Sequence, residues 1–136
     1  MILTDAGPLV AIIDAREPAH DRCVSALETL KLPMVSTWPV FTEAMYLLGD
    51  AAGWPAQELL WRIFRRDDLV LVELTVPLAA RAQKLMATYK DVPMDLADAS
   101  LVAVAEPQRW DRIFTLDSHF HAYRSAKRRP FVVIPS

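Results

Sequence analysis

Four carboxylates stand out by where they fall relative to apolar runs. Asp5 closes the run Ile2-Leu3-Thr4, and Asp117 closes the run from Arg112 to Leu116. Asp95 and Asp98 are three apart, so they share one face of a helix near its start. Glu43 sits in the first turns of a helix that follows the short run Met34 to Thr37. Carboxylates brought together repel, and they cannot all stay ionised unless a cation joins them. All-oxygen ligation, with no cysteine cluster and no paired histidines, favours Mg²⁺ or Mn²⁺ over Zn²⁺. One or two such ions can activate water and neutralise a phosphate during an in-line displacement. The chemistry indicated is metal-dependent hydrolysis of a phosphodiester, with Asp5, Glu43, Asp98 and Asp117 as the candidate ligands.

Each acid also has a purely structural reading. Asp5 can cap the helix that follows it, and Asp95 is better read as an N-cap than as a ligand. Asp98 can complement a helix dipole, Glu43 can be a solvated helical acid, and Asp117 can open a turn with Ser118. For any one of them alone the structural reading is the stronger. Their joint placement at one rim is what points to chemistry.

That rim requires particular elements. Apolar runs at residues 2–4, 34–37, 69–74, 112–116 and 131–134 read as strands. Between them, residues 8–14, 19–30, 38–48, 55–66, 76–89 and 95–106 read as helices, with prolines as punctuation and Pro107 as the stop of the last helix. The strands are continuous apolar runs, not alternating ones, which means a parallel sheet covered on both faces: an α/β sandwich. In such a sheet, ligands bind outside the carboxyl ends of the strands. Asp5 and Asp117 leave the core there, and helices that follow strands begin there.

The chain has 136 residues, the size of one domain, and 53% of them are hydrophobic. That content excludes disorder and leaves some apolar surface for a partner. Cys23 is the only cysteine, so no internal disulfide is possible. There is no signal peptide and no run long enough to span a membrane, so the expected compartment is the cytoplasm. Net charge is −2; committing four acids to a metal would turn the balance slightly positive, so charge is neutral on nucleic acid binding.

Four motifs in order resemble the PIN-domain family, specifically its VapC-type toxins. They are Thr4-Asp5-Ala6-Gly7-Pro8-Leu9 after the opening strand, Trp38-Pro39-Val40-Phe41-Thr42-Glu43-Ala44, Asp95-Leu96-Ala97-Asp98-Ala99-Ser100-Leu101, and Phe114-Thr115-Leu116-Asp117-Ser118-His119-Phe120. The resemblance implies one PIN domain over residues 1–136, a three-layer sandwich with a five-stranded parallel sheet in order 3-2-1-4-5, and a Mg²⁺- or Mn²⁺-dependent endoribonuclease. It implies that Asp5, Glu43, Asp98 and Asp117 are the acidic quartet. Thr115 matches a supporting hydroxyl, and Asp95 matches an acid found in part of the family. Where relatives often carry a basic residue after the last acid, this chain has Ser118. An RNA substrate, a neutralising antitoxin and a homodimer are implied as well. The alternatives are a catalytically silent PIN-like binding module and a non-toxin PIN nuclease in RNA processing.

A phosphate-receiving signalling domain would also have an acidic α/β pocket. It needs an Asp closing the third strand and a Lys closing the fifth, where this chain has Glu73-Leu74-Thr75 and Ile134-Pro135-Ser136. His119 and His121 diverge on a turn or helix and read as surface residues. Arg62, Arg65 and Arg66 read as dipole complements at a helix end. Lys127, Arg128 and Arg129 form a basic run that is either a phosphate contact or a solvated loop. The four tryptophans read mostly as core, with Trp54 and Trp61 on one stripe beside a groove suited to a partner.

Overall fold

The computed structural model describes residues 1–136. Five parallel strands, β1 (Ile2–Thr4), β2 (Met34–Thr37), β3 (Leu69–Val72), β4 (Arg112–Phe114) and β5 (Val132–Ile134), form one sheet in the order β3-β2-β1-β4-β5. Six helices connect them: α1 (Ala6–Ile13), α2 (His20–Thr29), α3 (Trp38–Ala52), α4 (Trp54–Arg65), α5 (Val76–Thr88) and α6 (Leu96–Gln108). The chain starts in the centre of the sheet, steps outward through β2 to β3, then crosses back to β4 and β5. With right-handed crossovers, this reversal puts α1 to α4 on one face and α5 and α6 on the other. The expected sandwich and strand order are both present.

The reversal lies between β1 and β4, which pair Leu3 with Ile113 and Thr4 with Phe114. Both strands end there, and the amide of Asp5 still donates to the carbonyl of Phe114 at 2.9 Å. The central strands β1 and β2 are buried along their whole length, while the edge strands β3 and β5 are only partly covered. This explains why the central strands carry no alternating pattern.

Helix α6 is the second organising element. Every residue from Ala97 to Ala105 is buried, so the helix is covered on all sides rather than along one stripe. Its alanines make it thin, and a thin helix can approach the sheet, α3 and α5 together. Two hydroxyls buried at this junction satisfy each other: Ser100 Oγ donates to the carbonyl of Ala97 at 2.7 Å, which leaves Thr37 Oγ1 to donate to Ser100 Oγ at 2.6 Å. The pair ties the first turns of α6 to the junction of β2 and α3.

Several boundaries differ from the sequence expectation, each for a local reason. Helix α1 begins at Ala6, because Asp5 caps it. Helix α3 runs a further turn, to Ala52, and Gly53 at φ 72° turns the chain into α4; only glycine adopts that conformation without strain. Strand β4 ends at Phe114, although the amide of Thr115 still reaches the carbonyl of Ile134. Pro107 does not stop α6. It sits in the last turn, and the helix ends two residues later at Arg109, which adopts a left-handed conformation at φ 58°.

The tryptophans depart from expectation too. None is fully buried, and Trp38 and Trp54 are 40% and 59% exposed. The interior is filled by alanines and branched aliphatics, and the two exposed indoles begin helices α3 and α4, beyond the packed layer. Trp61 packs on Phe41 with ring centroids 5.0 Å apart. The aromatic groove there is lined by Trp38, Phe41, Met45, Tyr46 and Trp61 without Trp54, so the expected pairing of Trp54 with Trp61 is replaced by Trp38 with Trp61.

Arg109 pays a steric penalty that glycine would avoid at the end of α6. Arg109→Gly is expected to raise the stability of the protein by about 0.5–1 kcal/mol after allowing for the greater freedom of glycine in the unfolded chain. A urea titration, with an unchanged slope and a higher midpoint, is the check.

Candidate metal centre

The carboxyl edge of β1 and β4 opens into a cavity of about 290 Å³ lined by Asp5, Glu43, Asp95, Asp98 and Asp117, with Ala6, Gly7, Leu47 and Leu116 as its apolar walls. All five candidate acids therefore meet at one place. They are not equivalent. Asp5, Asp98 and Asp117 each turn a carboxylate oxygen inward so that the three atoms lie within 4.8 Å of one another. Glu43 stands on the exposed rim. Asp95 is engaged as the N-cap of α6, its Oδ1 accepting from the amide of Asp98 at 2.8 Å, which is the structural role expected for it.

Each of the three inner acids is held by its own local structure. Asp5 is buried, and its two oxygens accept from the amide of Ala6 and from Thr115 Oγ1, both at 2.8 Å. Thr115 Oγ1 in turn accepts from the amide of Asp117 at 3.0 Å. One hydroxyl, fully buried at the end of β4, thus links two of the acids. Asp117 Oδ1 accepts from the amide of His119 at 2.9 Å and caps a short 3₁₀ turn, Ser118–His121. The His119 ring lies beside it, with Nδ1 3.3 Å away, and both side chains are partly exposed. His121 is exposed, so the two histidines diverge as expected.

Asp98 has a partner that sequence reasoning missed. Tyr123 is completely buried, and its hydroxyl lies 3.0 Å from Asp98 Oδ2 while also contacting the carbonyl of Pro93. Its ring packs edge-on against Tyr89 and Phe120, and Phe120 in turn packs on Phe131. The phenol has one proton for two acceptors. When the proton points at Pro93, the contact with Asp98 is favourable only if Asp98 carries a proton of its own. Nothing local in the sequence marks Tyr123, which is 25 residues from Asp98; the only available cue was a tyrosine among phenylalanines, a pattern that reads as ordinary core.

The electrostatics agree with this crowding. Burial, then the neighbouring charges of Asp95 and Asp5, push the Asp98 carboxyl up to about 7, against the pull of the Tyr123 hydroxyl. Asp5 is also raised, chiefly by burial and secondarily by Asp117 and Asp95, although its bonds to Thr115 and Ala6 oppose the shift. Glu43 moves the same way: the walls beside its carboxyl exclude enough water to raise it, and Asp5, Asp95 and Asp117 add to the effect. A site in which three acids resist ionisation lacks positive charge. Its inward donors are all carboxylate oxygens, in a cluster small enough for one hard divalent cation to touch all three, so Mg²⁺ or Mn²⁺ fits the donor set.

The description "PIN domain" applies to a family model that matches residues 2–125. A relative named Ribonuclease VapC26, from Mycobacterium tuberculosis (strain ATCC 25618 / H37Rv), is 28% identical over 135 residues, covering 98% of this chain and all of the relative. Among solved structures, the crystal structure of Mycobacterium tuberculosis VapC20, described as a Sarcin-Ricin loop cleaving toxin, superposes with a TM-score of 0.86 at 18% identity, covering 96% of this chain and all of that one. A toxin–antitoxin complex from Klebsiella pneumoniae matches with a TM-score of 0.66 at 20% identity, over 87% of this chain and 88% of that one.

The raised Asp98 carboxyl has a consequence for the metal-free protein. Its folded value, about 7, lies above the ordinary 3.8. Below the ordinary value both folded and unfolded chains hold the proton and no penalty exists. Between the two values the folded chain binds more protons, so stability falls as pH rises, and the full penalty is present above the folded value. In EDTA, Asp98→Asn is expected to melt above wild type at neutral pH, with the gap closing toward pH 4; equal melting temperatures across that range would contradict the assignment. Tyr123→Phe removes a hydrogen bond that favours the ionised acid, so the Asp98 titration followed by carboxyl NMR should move upward in that variant.

Proposed function

The chain belongs to the PIN-domain family, and on that premise we propose that it is a divalent-metal-dependent endoribonuclease, the toxin of a VapC-type toxin–antitoxin pair. The observation that carries the reading is the mutual approach of Asp5, Asp98 and Asp117 within 4.8 Å at the carboxyl edge of the sheet. The names of the similar proteins support the choice of RNA as substrate and of an antitoxin as partner.

In this reading Asp5, Asp98 and Asp117 hold Mg²⁺ or Mn²⁺, Glu43 completes the quartet from the rim, and Asp95 and Thr115 support it. The metal, when bound, supplies Lewis acidity for activating water and for offsetting charge at a backbone phosphate. The protein residues do the rest. Thr115 fixes the carboxylate of Asp5 and the backbone of Asp117 at once, so these two ligands keep their spacing without reorganising. Tyr123 holds the Asp98 carboxyl in its inward rotamer. Asp95 secures the first turn of α6, on which Asp98 rides. Glu43, whose carboxylate tends to take up a proton, is positioned on the open side to accept one from an attacking water through its Oε atoms. No side chain in the cavity is a nucleophile. Cys23 is fully buried elsewhere, and burial pushes its thiol upward, which makes it inert.

An antitoxin explains the leftover apolar surface. The aromatic groove on α3 and α4, about 370 Å³ in volume, suits an apolar helix or strand, and a basic side chain from the same partner could enter the acid cavity and neutralise it. Homodimer formation belongs to the same reading.

Cleavage of RNA should require Mg²⁺ or Mn²⁺ and stop in EDTA. Asp5→Asn, Asp98→Asn and Asp117→Asn should each reduce it by orders of magnitude with the fold intact, Glu43→Gln should do comparable damage, and Asp95→Asn should hurt less. Expression alone should slow growth of a bacterial host, and the cognate antitoxin should restore it. Full cleavage in EDTA by a clean preparation would exclude the mechanism. Equal toxicity of wild type and Asp5→Asn would favour a catalytically silent binding module, and RNA cleavage without toxicity would favour an RNA-processing nuclease.

A further inference from the structure

A second concave surface lies on the far side of the tyrosine that holds Asp98. It is a cleft of about 390 Å³ between α5, the end of α6 and the loop before β5, and its walls include Arg81, Tyr89, Arg124, Lys127 and Arg128. Charge is strongly uneven here. The segment from Arg124 to Arg129 contains four cations and no acid, in a chain whose net charge is −2. The one carboxylate in the cleft, Glu106, is already neutralised by a two-pronged contact from Arg81 at 2.7 and 2.9 Å. The cations of the loop therefore have no acidic partner.

The backbone of the loop is built to present them. Lys127 and Arg128 both adopt left-handed conformations, at φ 60° and 61°, which glycine or asparagine would adopt at lower cost. They are held there by a closed ring of hydrogen bonds. The amide and the hydroxyl of Ser125 both donate to the carbonyl of Arg129, at 2.7 and 3.0 Å, and the amide of Arg128 donates to the carbonyl of Ser125 at 3.1 Å. At the base of the loop, Arg124 Nη1 donates to the carbonyls of His121, Ala122 and Tyr123. Long cationic side chains at two consecutive strained, exposed positions are a local cost with no packing return, the pattern expected where strain serves a ligand.

Geometry points to what the ligand is. Tyr89 is half-buried in the wall of the cleft, and its ring packs on Tyr123 with centroids 5.2 Å apart. Tyr123 in turn touches Asp98. The Tyr89–Tyr123 pair, packed edge-on, thus links the wall of the cleft to Asp98. A track of four cations along one loop, with a partly exposed tyrosine in the cleft wall, matches the repeating charges of a polynucleotide backbone better than a compact anion. We infer that the Arg124–Arg129 loop and the cleft beside Tyr89 bind the phosphate backbone of single-stranded RNA flanking the position presented to the acid cavity. This rests on the ribonuclease reading and extends it, because it assigns the contacts that hold substrate away from the scissile bond.

The test is binding in EDTA, where RNA stays uncut, using the full-length chain and a fluorescein-labelled single-stranded oligoribonucleotide of about a dozen nucleotides. Anisotropy is followed over a series of KCl concentrations. Lys127→Gln with Arg128→Gln should weaken binding on the order of twentyfold at 0.1 M salt and reduce the slope of log K against log salt by about 1.4, the counterion-release value for two contacts on a single strand. Lys127→Gly with Arg128→Gly should weaken binding as much while leaving the melting temperature equal or higher, which separates loss of contact from loss of fold. Wild-type cleavage with an unchanged Kd and salt slope in both variants would overturn the cleft assignment and leave the ribonuclease reading standing. Salt-dependent binding lost in both variants, in a protein that cuts no RNA with metal, would support the cleft and overturn the ribonuclease reading instead.

Discussion

Repulsion among carboxylates confined at the carboxyl edge of the sheet is the interaction around which the molecule is arranged. Asp5, Asp98 and Asp117 come from three separate elements, and their inner oxygens lie within 4.8 Å of one another. Left to themselves such groups would turn toward water. They stay because each is anchored by donors at short range: the amide of Ala6 and the hydroxyl of Thr115 for Asp5, the hydroxyl of Tyr123 for Asp98, the amide of His119 for Asp117. The remaining imbalance is visible in acids that hold protons above the ordinary range. In the proposed reading, a divalent cation would supply the charge that this cluster lacks.

That requirement explains features which otherwise look unrelated. The order of strand addition reverses between β1 and β4, so two parallel strand ends deliver Asp5 and Asp117 side by side. Helix α6 is thin and buried from Ala97 to Ala105, so its first turn can bring Asp98 against both of them. The Thr37–Ser100 hydroxyl pair then locks that turn to the neighbouring strand end. Aromatic residues do the corresponding work behind the site: Tyr89 and Phe120 pack edge-on against Tyr123, whose hydroxyl meets Asp98.

Charge is also segregated across the molecule. Five acids line one cavity, and four cations cluster in the Arg124–Arg129 segment, on the chain that leaves Asp117 for β5. A polyanion can approach an acidic cavity only if something nearby offsets the repulsion before any metal contact is made. For the RNA substrate proposed above, the cations that begin at Arg124 would supply that offset.

The sequence by itself determined the parallel α/β architecture, because continuous apolar runs separated by helical segments allow no other sheet to be covered on both faces. It also determined that Asp5 and Asp117 would meet, since both directly follow strands, and that Asp95 would cap α6. Those are consequences of local pattern and of chain direction in a parallel sheet. Tertiary structure alone decided the rest. Tyr123 reached Asp98 only through the packing of an aromatic cluster, and no spacing encodes a contact between residues so far apart. Glu43, expected to help the three aspartates, lines the same cavity from its exposed rim, a depth that helical position alone does not encode. Of the tryptophans, expected mostly in the core, Trp61 and Trp110 pack partly buried against it while Trp38 and Trp54, at the starts of α3 and α4, stay exposed. Pro107, expected to stop α6, instead lies in its last turn at the loss of one amide donor, and the left-handed cap at Arg109 closes the helix after Gln108. The strain at Lys127 and Arg128 depended on a hydrogen-bonded ring closed by Ser125 and Arg129, which a run of basic letters does not reveal.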